Sequence, residues 1–227
     1  MIQSQTMLSN LLQIQNISFS YPGGKPVIHG VSFDIQKGKL VVIRGESGAG
    51  KSTFLKLFNR FNELEDGKIL FHGRELGDYE IDEIRRSIIY LPQLPHVIEG
   101  TVKDNLSFPF LFKVHKNKTF DKHKAEEWLD YFQLRVSLSH GALKLSIGQR
   151  QRIALIRAIL LEPEILLLDE PCASLDIENR RLIERKIESL LESAGITVLM
   201  ATHSEVGFHE SSCRFFRLAN GELTEST

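Results

Sequence analysis

Residues 45–52 read GESGAGKS, the spacing of a phosphate-binding loop of the form GxxxxGK(S/T). The apolar run at 40–43 predicts a short buried strand before it, and residues 53–58 have helical spacing after it. In that context, backbone N–H groups and a helix N-terminus converge on a phosphate. Lys51 is expected to reach the β- and γ-phosphates and Ser52 to offer its hydroxyl to Mg²⁺. The loop therefore predicts a nucleotide site.

Two adjacent carboxylates follow a run of four apolar residues, at Asp169 and Glu170. A fully apolar strand is typical of a parallel sheet covered on both faces, and ligands bind at the carboxyl ends of such strands. Asp169 has the form of an acid that holds magnesium directly or through water. Glu170 is positioned to polarise a water for in-line attack on the γ-phosphate. Without the phosphate loop, such a pair would be read as solvated acids.

Three further polar groups are functional candidates only because the phosphate loop and the acid pair are present. His203 follows a strand and could donate a hydrogen bond to a phosphate oxygen. Gln93 taken by itself indicates no function. Ser146 and Gly148 stand immediately before a predicted helix, and the serine hydroxyl, the glycine N–H and the helix N-terminus together make a second candidate anion site. The remaining histidines show no metal-ligand spacing and are expected at the surface, among them His115, His123 and His209.

The elements that must position these residues follow from hydrophobic periodicity. The alternation at 11–19 and 27–35 predicts an antiparallel β start that leads into an α/β core. Strands are predicted at 68–71, 88–91, 165–168 and 197–201, with a closing hairpin at 214–218 and 221–223. Helices are predicted at 101–112, 119–134, 149–161 and 179–194. The Phe-rich cluster at 108–112 is interpreted either as packing of a small helical subdomain or as a groove wall for a partner's helix.

Composition excludes several classes of protein. The 227 residues carry a net charge of -1, so no overall field points to nucleic acid. Cys172 and Cys213 are too far apart in sequence to suggest a disulfide framework or a metal knuckle, which fits a reducing cytosol. No basic residue precedes Lys25 and no apolar run reaches about 18 residues, so neither a signal peptide nor a membrane span is predicted.

The phosphate loop, Gln93, the segment LSIGQ, the run ILLLDE, Ser174-Leu175-Asp176 and His203 occur in the order and approximate spacing of the ATP-binding cassette (ABC) ATPases. The resemblance covers residues 11 to about 222 and implies a P-loop NTPase (RecA-like) core with a mainly parallel sheet. It implies one ABC ATPase domain over 1–227. The core and an antiparallel β subdomain would take about 11–93 and 150–223, and an inserted helical subdomain about 94–149.

The resemblance also assigns roles to residues of this chain. Tyr21 resembles the aromatic residue that stacks on adenine, Gln93 the Q-loop glutamine that senses the metal, Glu170 the catalytic glutamate and His203 the switch histidine. Asp169 resembles the Walker B acid, which would hold Mg²⁺ with Ser52 and Gln93. ATP would be bound by a Walker A segment made of Gly45, Glu46, Ser47, Gly48, Ala49, Gly50, Lys51, Ser52 and Thr53. The signature residues Ser146, Gly148 and Gln149, and the D-loop residue Asp176, would complete the site.

The family implies a head-to-tail homodimer with two Mg-ATP sandwiched between Walker A of one copy and the signature of the other. Closure and opening would drive separate transmembrane permease subunits from the cytoplasmic face of the membrane, on which a subunit soluble in isolation sits peripherally. A coupling helix would dock near Gln93 and the Phe-rich cluster. In one departure, the usual Gly-Gly of the signature is Ile147-Gly148, and a β-branched side chain narrows the allowed backbone angles.

Two hypotheses from different classes follow. The first is an ATP-hydrolysing subunit of a multi-component ABC transporter; the stretch 90–112 and the short C-terminus look most like small bacterial ATPases assigned to putative iron or metal export. The second is a soluble ATP-dependent switch that binds and releases a cytosolic partner without transport.

Overall fold

The computed structural model describes residues 10–173, 175–208 and 213–226. Within them, the strands form two sheets. The first is antiparallel, with the order β2-β1-β4-β5. Its strands are β1 (Asn10–Ser20), β2 (Pro26–Gln36), β4 (Asp66–Phe71) and β5 (Arg74–Glu75). The predicted antiparallel start is therefore confirmed, and β5 is a short addition that the sequence did not indicate.

The second sheet contains the strands that precede the predicted site residues. Its order is β10-β9-β3-β8-β7-β6, and all neighbours are parallel except the closing hairpin of β9 and β10. Its strands are β3 (Leu40–Arg44), β6 (Ile88–Leu91), β7 (Ile165–Asp169), β8 (Thr197–Thr202), β9 (Cys213–Ala219) and β10 (Glu222–Ser226). The predicted α/β fold with a mainly parallel sheet is confirmed.

Helices cover both faces of this sheet. They are α1 (Lys51–Phe58), α2 (Ile81–Ser87), α3 (Val102–Ser107), α4 (Lys122–Tyr131), α5 (Ile147–Ile159) and α6 (Ile177–Ala194). Alternate residues of β7 enter two different cores: Leu166 and Leu168 pack with α5 and α6, whereas Ile165 and Leu167 pack with α1 and the first sheet. This two-sided burial explains why β7 has no polar residue before Asp169.

The helical stretch between β6 and α5 is more broken than predicted. α3 ends at Ser107, and Phe108–Leu111 continues as a 3₁₀ turn because Pro109 has no N–H to extend the α-helical ladder. α4 begins only at Lys122, where Asp121 accepts hydrogen bonds from the backbone N–H groups of His123 and Lys124. The sequence also missed α2. The division into a core and a helical subdomain at about 94–149 stays a prediction.

The Phe-rich cluster divides between the two interpretations. Phe110 packs against the core and meets the ring of Phe120 edge to face, with 5.8 Å between centroids. Leu111 and Phe112 are exposed. His115, which was expected at the surface, is buried beside this cluster, so that prediction was wrong; its pKa is lowered, chiefly by burial. His209 lies outside the described residues.

Candidate active site

The phosphate loop connects β3 to α1, which confirms the predicted order of strand, loop and helix. Gly48 and Gly50 have φ of 83° and 96°, a region that favours glycine. A Cβ on Gly50 would lie 2.6 Å from Val27 Cγ1, so any side chain at this position would also clash. Lys51 is 6% exposed, and its Nζ donates to the carbonyls of Gly45 and Glu46 at 2.8 and 2.9 Å. These two bonds close the loop into a ring around the ammonium.

Tyr21 stands beside this loop, on the segment between β1 and β2. Its hydroxyl lies 3.0 Å from Thr53 Oγ1 of α1, and its ring packs edge to face on Phe19 with 5.0 Å between centroids. The ring is 47% exposed. A partly exposed aromatic ring fixed at one end beside a phosphate loop offers a stacking surface for a base.

Asp169 ends β7, and Glu170 follows it with its backbone N–H donating to Ala201 O at 2.9 Å. Glu170 is 7% exposed, and its φ of 49° is unusual for a residue with a side chain. Its Oε1 lies 2.8 Å from His203 Nδ1 and 3.5 Å from Lys51 Nζ. Strands β3, β7 and β8 thus bring the loop lysine, the carboxylate and the histidine together at their carboxyl ends.

A tyrosine that the sequence did not single out completes the cluster. Tyr90, in β6, donates its hydroxyl to Asp169 Oδ2 at 2.7 Å. Burial raises the pKa of this phenol, and the Asp169 carboxylate raises it further, so the group remains a donor. One feature of the sequence could have pointed to Tyr90: it is the polar member of an otherwise apolar strand.

The carboxylates have capacity left for a cation and a water. Asp169 Oδ1 and Glu170 Oε2 are buried and have no protein hydrogen-bond partner. Such groups are costly to bury unless a ligand, ion or water satisfies them. No group of three or more His, Cys, Asp or Glu that could hold a metal occurs in the described part of the chain. An oxygen-only site built from one carboxylate, a hydroxyl and phosphate oxygens, as Mg²⁺ prefers, fits these residues.

The other predicted metal ligands lie on neighbouring elements. Ser52 is the second residue of α1, and Gln93 is exposed, two residues beyond β6. Across residues 10–173, 175–208 and 213–226, no side-chain hydrogen bond joins either of them to Asp169 or Glu170.

The second predicted anion site is a capped helix N-terminus. Ser146 caps α5: its Oγ accepts from Gln149 N at 3.3 Å, and Gln149 Oε1 accepts from Ser146 N at 2.9 Å. Neither Ile147 nor Gly148 has positive φ, because both belong to the first turn of α5. The isoleucine therefore strains no backbone angle, and its side chain is 56% exposed.

The D-loop region also opens a helix. Asp176 caps α6, accepting from Asn179 N at 2.8 Å and from Asn179 Nδ2 at 2.7 Å, and these bonds lower its pKa. Ser174 lies outside the described residues. Leu175 Cδ2 would lie 3.0 Å from a Cβ on Gly148, so this segment packs closely on the start of α5.

Comparison with known proteins gives one family. A family model described as ABC transporter matches residues 28–173. The ATP-binding protein LolD of the lipoprotein-releasing system of Myxococcus xanthus is 36% identical over 95% of this chain and 99% of its own length. The ATP-dependent lipid A-core flippase of Vibrio parahaemolyticus is 33% identical over 85% of this chain, which spans 34% of the flippase.

A solved structure of the same family has a similar fold. The ATP-binding cassette MJ0796, described as a dimer in a post-hydrolysis state bound to ADP and Pi, superposes with a TM-score of 0.80 at 26% identity. The alignment covers 95% of this chain and 97% of that one. No helix in the described part of this chain has the length and apolar character needed to cross a bilayer. The chain belongs to the ABC transporter family, within which it is an ATP-binding ATPase domain.

Proposed function

We propose that this chain hydrolyses ATP at the phosphate loop as the nucleotide-binding subunit of a membrane transporter, working as a head-to-tail pair of copies. The observation that carries the proposal is the cluster around Glu170, whose buried carboxylate has the Lys51 ammonium at 3.5 Å and the His203 imidazole at 2.8 Å beside the loop. These are the groups that phosphoryl transfer to water needs: positive charge, a base and a donor to phosphate.

The roles follow from the contacts. The loop N–H groups and Lys51 hold the β- and γ-phosphates. Glu170 orients a water with its free Oε2 and takes its proton, while the water oxygen bonds to the γ-phosphorus and the bond to the ADP oxygen breaks. His203 is fixed through Nδ1, which leaves Nε2 for a γ-phosphate oxygen. Magnesium, held by Ser52, Gln93 and Asp169, would neutralise charge on the phosphate oxygens when bound.

Exposed apolar residues support the dimer. Ile147 and Ile177 are the first residues of α5 and α6, and they are 56% and 68% exposed. Each lies beside a helix cap assigned to the partner's nucleotide, at Ser146 or Asp176. A second copy bound head to tail would cover both side chains and bring Ser146 to the γ-phosphate. The dimeric MJ0796 is consistent with this arrangement.

An apolar groove beside Gln93 is the proposed docking site for a transmembrane subunit. It encloses about 190 Å³ and is lined by residues of β6, α5 and the loop between them, including Leu91, Pro95, Pro109 and Ala158. Within the Phe-rich cluster, Pro109 lines this groove. A chain docked there would sit peripherally on the cytoplasmic face of the membrane. LolD, as an ATP-binding protein of a lipoprotein-releasing system, supports this transport function.

The test is affinity purification of tagged Glu170→Gln protein with Mg-ATP, from gently solubilised membranes and from cytosol in parallel. Recovery of a polytopic membrane protein is the expected result. Leu94→Asp, at an exposed residue between the groove residues Pro92 and Pro95, should abolish recovery. Thr224→Asp, on the opposite edge strand β10, is the matched control and should not. Recovery of only a soluble partner would instead favour the ATP-dependent switch.

A further inference from the structure

We propose that Tyr90 is a positioning residue for the magnesium acid: its hydroxyl holds one oxygen of Asp169 so that the other is presented to the metal. This inference rests on the proposed function, because it assigns Asp169 to the Mg-ATP site. It adds a residue outside the motifs that the sequence identified.

The geometry fixes Tyr90 from several sides. β6 lies next to β7, and Tyr90 pairs in register with Leu167, two residues before Asp169. Side chains at alternate positions of a strand share a face, so Leu167 and Asp169 face the same side of the sheet. The tyrosine ring meets Phe61 edge to face at 6.0 Å, and Lys56 Nζ of α1 lies 5.8 Å from its centroid. The hydroxyl is therefore held at the end of a packed ring.

Asp169 depends on this one donor. Of its two carboxylate oxygens, Oδ2 accepts from Tyr90 and Oδ1 has no partner in the described part of the chain. The hydrogen bond restricts rotation of the carboxylate and leaves Oδ1 as the oxygen for a metal or a metal-bound water. Without the hydroxyl, both oxygens of a side chain that is 4% exposed would lack a donor. Groups that orient metal ligands in this way typically contribute about 10–100-fold in metal affinity or activity.

The variant that removes only the hydroxyl is Tyr90→Phe. Its matched control is Tyr79→Phe, since Tyr79 also donates a 2.7 Å hydrogen bond, to Phe71 O, and its ring packs at the periphery of the same core. Both variants lose one hydroxyl bond from a partly buried ring, and Tyr90→Phe should lower the melting temperature more, because it leaves the buried Asp169 carboxylate without a donor.

The measurement is equilibrium binding of a fluorescent ATP analogue, titrated with Mg²⁺, and in parallel with EDTA. Tyr90→Phe should raise the Mg²⁺ concentration for half-maximal enhancement of binding by about 10-fold, with affinity in EDTA unchanged. Tyr79→Phe should resemble the wild type. In an Asp169→Asn background, Tyr90→Phe should have no further effect, because the oxygen it positions has been altered.

An unchanged Mg²⁺ requirement in Tyr90→Phe would overturn the inference. So would an equal shift in Tyr79→Phe, or the same shift in the Asp169→Asn background, because each would mark a general loss of stability. Failure of the proposed function gives a different result: the wild-type protein would not bind the ATP analogue under either condition.

Discussion

The backbone of Glu170 is predicted to be strained, and a pair of substitutions can measure that strain. Its φ of 49° lies in the left-handed region, which costs a residue with a Cβ about 1–2 kcal/mol. The conformation persists because Glu170 N is bonded to Ala201 O and the side chain is held by His203.

The perturbation is Glu170→Ala compared with Glu170→Gly. Both remove the carboxylate and its contacts, so their difference isolates the backbone and the Cβ. In an ordinary helix, Ala is more stable than Gly by about 1 kcal/mol. The left-handed cost of about 1–2 kcal/mol should cancel or reverse that advantage at residue 170. Arg185, exposed within α6, is the matched position at which Ala should keep its full advantage.

The assay is urea unfolding of the four variants without nucleotide. The Ala variant's advantage over the Gly variant in free energy of unfolding should be smaller at residue 170 than at residue 185 by at least about 1 kcal/mol. If the Ala variant is more stable than the Gly variant by about 1 kcal/mol at both positions, then the backbone of Glu170 is not strained. Both variants at residue 170 should lose ATP hydrolysis in either case, because neither carries the base.

Three further predictions concern other parts of the chain. Burial raises the pKa of Glu184 above its ordinary 4.5, so the folded state binds its proton more tightly and this contribution to stability declines as pH rises from about 4.5 through the folded pKa. The melting temperature of Glu184→Gln relative to the wild type should therefore rise between about pH 5 and pH 8, and a pH-independent difference would contradict this. Gly50→Ala should abolish ATP binding and destabilise more than Gly73→Ala, because both residues have positive φ but only the first would meet Val27; equal melting temperatures would argue against that clash. Ile147→Gly should leave ATPase activity similar or higher, and a collapse of activity would show that the isoleucine is required.

Local patterns predicted the elements that carry the site. The apolar runs before Gly45 and Asp169 predicted β3 and β7, and parallel strands bring their carboxyl ends together. The sequence alone therefore predicted that Lys51, Glu170 and His203 lie at one edge of a sheet. The helix bounds between residues 101 and 134 were less accurate. Apolar spacing alone did not indicate that Pro109 follows the end of α3 or that Asp121 caps the start of α4.

Contacts between distant residues were beyond the sequence. Tyr90 lies 79 positions before Asp169, and only the pairing of β6 with β7 brings them together. His115 was misread because tertiary packing, rather than local spacing, buries it. Likewise, the effect of Ile147 depended on whether its position has positive φ, which only the start of α5 decides. The residue roles carried by resemblance remain predictions.

The most direct test of Glu170 as the catalytic base is phosphate release from ATP by the wild-type protein and by Glu170→Gln, with Mg-ATP binding measured on the same samples. We expect Glu170→Gln to bind Mg-ATP as tightly as the wild type and to hydrolyse it at least about 100-fold more slowly, because a positioned base contributes about that much. Full turnover by Glu170→Gln would show that Glu170 is not the base and would contradict the proposed mechanism.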